Sequence, residues 1–198
     1  MCFFGKVTKL TCYLGITSYV MGMGTVGVAM ALNPWFSVWT GALSDMGRAW
    51  LSTAWVFNTG LMASAVVGMT YVACLLKAFR NSLTHLAAGV YLVAAANLFL
   101  IGAFPEGTKP HWTVSHEFFF LMLFTYLLNS PALWLEGLRK HAVINLALFV
   151  LGLSGSIVVN WPSVATLELY NLALMGVWYV TMFHAVRSVK HGVLTSLN

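Results

Sequence analysis

Six apolar runs, each about twenty residues long, leave this chain few ways to fold. They cover about 10–32, 53–76, 85–104, 117–135, 142–160 and 167–187. A helix of about 20 apolar residues is what crossing a bilayer requires. Charged residues make up only 8% of the chain, against roughly 25% in soluble domains. The mean hydropathy is +0.83. These features predict an all-α integral membrane protein, a single six-transmembrane-helix domain over 1–198. The first run is too long for a removable signal peptide and lacks a small-residue cleavage site. The links between runs are too short to hold a soluble domain.

The basic residues set an orientation. Eight of the ten, in the pairs Lys6/Lys9, Lys77/Arg80, Arg139/Lys140 and Arg187/Lys190, fall on one side if both termini share it. Only Arg48 and Lys109 fall on the other. Cytoplasmic loops carry the excess of Lys and Arg, so both termini are expected in the cytoplasm of a cell-membrane protein. Pairs at span ends are an orientation signal rather than a nucleic-acid patch, and no nucleic-acid partner is expected. Cys2, Cys12 and Cys74 all lie toward the cytoplasmic side, so no disulfide is expected, and no CxxC pattern suggests structural zinc.

Residues 1–9 read as a short tail at the interface. Gly15, Gly22, Gly24 and Gly27 in the first span permit close helix packing. Asn33-Pro34 ends that helix, because proline disfavours helical geometry in the residue before it. Trp35, Trp39, Leu43, Met46 and Trp50 then recur at helical spacing, with Ser37, Gly41, Ser44, Asp45 and Arg48 opposite. That pattern predicts a short amphipathic interfacial helix between helices 1 and 2, lying flat on the outer face. Asp45 and Arg48, at i and i+3, can pair on it.

Polar groups inside spans need a partner or a wet cavity. Asn58, Asn97, Glu168 and Asn171 belong to the outer half of the bilayer, where they suggest a polar pocket open to that side. Asn129 and Asn145 belong to the inner half, where interhelical hydrogen bonding explains them, and Pro131 kinks the fourth span. His85, His141 and His184 sit near the cytoplasmic ends, not at the matched mid-membrane depths that would suit a haem.

The outer stretches 33–51 and 105–117 together hold Asp45, Arg48, Glu106, Lys109, His111, His116 and Glu117. Imidazoles and carboxylates form the ligand set of catalytic zinc, and His111, His116 and Asp45 are the candidate ligands. A bound zinc would supply hydroxide near neutral pH. Asp45 or Glu117 would then act as general base, with Arg48 holding a phosphate or oxyanion. The five-residue offset between the histidines is not that of HExxH, in which both share one helix face. Other readings of the same residues are an acid/base or lipid-headgroup site without metal, and a polar network that seals the end of the bundle.

Two motifs carry a family resemblance: Leu43-Ser44-Asp45-Met46-Gly47 followed by Val56-Phe57-Asn58-Thr59-Gly60-Leu61, and Gly102-Ala103-Phe104-Pro105-Glu106-Gly107 with His111 shortly after. They resemble the domain of unknown function 998 family of small polytopic proteins, itself similar to the Frag and DRAM-like six-helix group. The resemblance implies six helices and places Ser44, Asp45, Asn58 and His111 in the shared motif set, with Ser44, Asp45 and His111 the catalytic candidates. It supplies no reaction. Ser44, Asp45, His111 and His116 also echo the serine, aspartate and histidines of alkaline ceramidases, but those have seven spans and a third histidine on a late helix, where this chain offers only His184 at the opposite face.

Two functions from different classes follow. One is a site on the extracytoplasmic side, formed by Asp45, His111 and Ser44 with Asn58, Arg48, Glu117, Asn97 and Glu168, that binds and processes a lipid headgroup with or without zinc. The other is a non-catalytic accessory subunit packed against other membrane subunits or a second copy of itself. A transporter would need mid-membrane charges and paired broken helices, which this sequence lacks.

Overall fold

The computed structural model describes the backbone over residues 2–195 and the side chains over 12–189. Six helices follow one another: α1 (Cys2–Leu32), α2 (Ala54–Ala78), α3 (Ser82–Ala103), α4 (Lys109–Leu135), α5 (Arg139–Val158) and α6 (Val164–Thr195). All six are long and apolar enough to cross a membrane, and no strand occurs among the described residues. Each helix packs antiparallel on its predecessor, and α6 closes the bundle against both α1 and α5. Both chain ends therefore lie at one end of the bundle. The other end carries the long α1–α2 link and the α3–α4 and α5–α6 turns, and is called the site end below.

The helix boundaries depart from the apolar runs in two places. The stretch 2–9 belongs to α1 rather than to a separate tail, although the side chains of Lys6, Lys9, Lys190 and Cys2 lie outside the described residues. α4 starts at Lys109, eight residues before the apolar run does. Pro110 sits in its first turn, where its missing N–H costs nothing, so His111 and His116 are helical rather than part of a loop.

The interfacial helix expected over 35–50 is absent. Residues 33–53 form consecutive turns and a single 3-10 turn, Leu43–Gly47. The hydrophobic spacing is real, but its residues divide between two environments. Leu43 and Met46 are buried in the bundle, Met46 completely, whereas Trp35, Trp39 and Trp50 remain exposed. The segment is thus a plug pressed into the helix ends, not a rod lying along the membrane. Exposed Trp55 and Trp112 join those tryptophans at the same level, as expected of an aromatic belt at the membrane interface.

Close helix approach relies on glycines. A Cβ on Gly60 would strike the Thr25 side chain across the α1–α2 contact, and one on Gly102 would strike the backbone carbonyl of Asn58 across α2–α3. At the terminal end the Cys12 and Cys74 sulfurs approach to 2.8 Å, also joining α1 to α2. Since a backbone carbonyl in a helix cannot swing aside, Gly102→Ala must push α2 and α3 apart. Overpacking of this kind costs about 1–3 kcal/mol, and thermal unfolding in detergent should report a lowered midpoint.

Candidate functional site

The plug is held by hydrogen bonds to five parts of the bundle. Asn33, buried where α1 ends, donates from Nδ2 to the Ala29 carbonyl (2.8 Å) and accepts at Oδ1 from Trp35 Nε1 (3.0 Å) and Thr53 Oγ1 (2.9 Å). Both ends of the segment are thereby tied to one side chain. Asn58 of α2 donates from Nδ2 to the Gly47 carbonyl at 2.9 Å. From the α6 end, Ala165 N–H donates to the Gly41 carbonyl (2.8 Å) and Ser163 Oγ to the Val38 carbonyl (2.5 Å). Glu168 Oε2 accepts from Leu43 N–H at 2.6 Å, and Ser44 Oγ donates to Glu106 Oε2 in the α3–α4 turn at 2.9 Å.

Within the plug, Asp45 is fully committed. Its Oδ1 meets Arg48 at 2.6 Å and its Oδ2 accepts from Ala42 N–H at 2.9 Å. The i, i+3 pair expected from the sequence is present, on a 3-10 turn instead of an α-helix. Arg48 also lies over the Trp50 ring at 5.3 Å.

Glu106 is the centre of the polar cluster, and sequence reasoning placed it among the outer-face residues without assigning it a role. Its Oε2 meets both Ser44 Oγ and, at 2.9 Å, His111 Nε2. His111 Nδ1–H donates to the Phe104 carbonyl at 2.7 Å. With Nδ1 carrying a proton, the Nε2 contact is attractive only if a second proton lies between imidazole and carboxylate. Ser44 donates to Glu106 rather than to His111, so the serine hydroxyl and the imidazole do not form a nucleophile–base pair.

The remaining candidates are dispersed. His116, five residues after His111, is turned about 140° around the helix axis. It stacks on exposed Trp112 at 4.1 Å and donates from Nδ1 to the Trp112 carbonyl. Glu117 is exposed on the outer surface of α4. Asn97 and Asn171 are buried, and each back-bonds to the carbonyl four residues earlier in its own helix, Val93 and Leu167. The zinc ligand set His111, His116 and Asp45 is therefore not assembled in this arrangement. Among the described residues no three His, Cys, Asp or Glu side chains are grouped to hold a metal.

Beneath the plug lies a cavity of about 90 Å³; of the residues expected to form an outer polar pocket, Glu168 lines it and Asn58, Asn97 and Asn171 do not. Leu43, Ser44 and Glu168 line its upper end, and Ser18, Ser64 and Tyr179 its deep end. Apolar side chains of α1, α2, α3, α4 and α6 form the walls between, among them Val26, Leu61, Ile101, Phe118 and Met175. Glu168 and Tyr179 are eleven residues apart on α6, which is roughly 16 Å at the helical rise. The cavity therefore runs from the site end to about the middle of a 30 Å hydrocarbon layer. At its floor Ser18 and Ser64 each donate to the other's backbone carbonyl (2.9 and 2.8 Å), and the Tyr91 and Tyr179 hydroxyls meet at 2.9 Å.

A polytopic six-helix membrane protein with a capped polar end is the class these features define. The family model described as protein of unknown function (DUF998) matches residues 14–185, and the chain belongs to that family. No curated protein and no solved structure matches it. Of the residues that carried the resemblance, Ser44, Gly47, Asn58, Gly102, Glu106 and His111 join plug, α2, α3 and the α3–α4 turn, and Asp45 braces the plug itself.

If Asn58 anchors the plug, Asn58→Leu leaves the Gly47 carbonyl buried without a donor, at about 1–3 kcal/mol. Hydrogen–deuterium exchange should rise sharply over residues 42–48 while the centres of α3 and α5 keep their protection.

Proposed function

We propose that this protein binds a membrane lipid, with the upper part of one hydrocarbon chain in the cavity and the headgroup beneath the plug. The observation that carries the proposal is the cavity itself, with Ser44, Ser115 and Glu168 at its upper end, apolar walls below them, and a floor whose Ser18, Ser64 and Tyr179 hydroxyls are hydrogen-bonded within the protein. About 90 Å³ takes only the few methylene groups of one chain nearest the headgroup, and leaves no room for two chains side by side. Binding sites typically combine an apolar lining with a few placed polar groups, and an amphiphile standing in the bilayer matches this division by depth.

The plug end is the extracytoplasmic end in this proposal, with both termini in the cytoplasm. Support comes from charge: eight of the ten basic residues sit at the end opposite the plug, as cytoplasmic loops require. The role proposed is binding, with the Ser44 hydroxyl spent on Glu106, a carboxylate already paired with His111.

The test is native mass spectrometry of protein extracted in a mild neutral detergent. The expected wild-type spectrum contains one retained lipid per chain. Met175→Trp, which places an indole inside the cavity wall, should lose that lipid while keeping its helical circular dichroism. Wild-type protein that is wholly lipid-free, or a folded Met175→Trp variant that retains as much lipid, would reject the proposal.

A further inference from the structure

Among the described residues Glu168 is the one acidic side chain on the cavity wall, and no Lys, Arg or His lines it. The other two carboxylates nearby are already matched. Asp45 is paired with Arg48, and Glu106 with His111 and Ser44. Glu168 is held only through Oε2, by the Leu43 N–H, in surroundings supplied by Leu172, Phe118 and Phe119. One backbone N–H leaves most of the acceptor capacity of this carboxylate unused, and a carboxylate in an apolar, membrane-embedded site gains most from a countercharge, which none of the described residues lining the cavity provides.

From this we infer that the ligand brings it: the cavity selects a single-chain lipid whose headgroup carries a primary ammonium, and Glu168 is the specificity-determining residue. The inference rests on the lipid-binding reading above and adds the headgroup class to it. The ammonium donates to the carboxylate at the top of the cavity, where Ser44 and Ser115 offer further hydroxyl oxygens. The chain runs down past Leu172 and Met175 toward Tyr179. Anionic amphiphiles are disfavoured because they would face Glu168 with no cation in the cavity to offset the repulsion. A neutral long-chain alcohol can fill the apolar part but forgoes the charge pairing, which is worth most where water is excluded.

The test uses full-length protein in neutral detergent at pH 7, with binding of dodecylamine, dodecanol and dodecanoate followed by tryptophan fluorescence. Dodecylamine is expected to bind roughly tenfold or more tightly than dodecanol, with dodecanoate weakest. Glu168→Gln keeps an acceptor for Leu43 N–H, so the plug stays attached. In that variant the amine should fall to the level of the alcohol, while alcohol binding is unchanged. Met175→Trp should weaken all three. If the wild type binds the three probes alike, or Glu168→Gln keeps the amine preference, the headgroup assignment is overturned while lipid binding stands. If no probe binds the wild type, both readings fail together.

Discussion

A chain segment without regular hydrogen bonding can sit against the end of a membrane bundle only if its backbone polar groups find partners in the protein or in water. Residues 33–53 meet that constraint with side chains from the neighbouring helices. Asn33 closes the base of the segment, Asn58 caps the Gly47 carbonyl, and Ser163 takes the Val38 carbonyl. Glu168 receives the Leu43 N–H. The plug can therefore bury Leu43 and Met46, with Leu43 and Ser44 roofing the cavity, and without those bonds the same apolar side chains would return to the interface beside the tryptophans.

The hydrogen bonds also explain why the cavity remains a cavity. Small residues let α1, α2 and α3 approach closely at Gly60 and Gly102. The plug and the α3–α4 turn, joined through Ser44, Glu106 and His111, fix the helix ends where Gly102 lies. Deeper in, the large ring systems of Tyr71, Tyr91, Tyr179 and Trp178 pack edge to face or tilted and form a floor. Between rigid roof and rigid floor, side chains such as Leu61, Ile101 and Met175 leave space that neither end can collapse to fill.

Much of this architecture was legible in the sequence, because a membrane span is written as length and hydropathy alone. The six runs became six helices, and Asp45–Arg48 paired as their spacing required. The plug was misread for a physical reason. Trp35, Trp39, Leu43, Met46 and Trp50 recur with helical spacing, but that spacing cannot distinguish one lipid-facing stripe from residues divided between a protein interior and the interface. The side-chain partners for a broken backbone, the donor Asn58 and the acceptor Glu168, lie outside the segment. The start of α4 was hidden by its polar first turns, Lys109 to His116, which resemble a loop. Glu106 gained its role only from contacts with Ser44 and His111, neither adjacent to it. The cavity was legible only in part: Glu168 pointed to a polar pocket at the outer end, but the ordinary core residues of five helices that bound it carry no signal.

The family to which the chain belongs describes no activity, so the account turns on whether that space is a ligand site or an unfilled gap. The direct measurement is a structure determined from protein crystallised in a lipidic phase, without delipidation. The account expects continuous rod-shaped density from Glu168 toward Tyr179, its polar end within hydrogen-bonding distance of the carboxylate, and the plug in place above it. A cavity closed by inward movement of α6, or one open and empty beneath an intact plug, would contradict it.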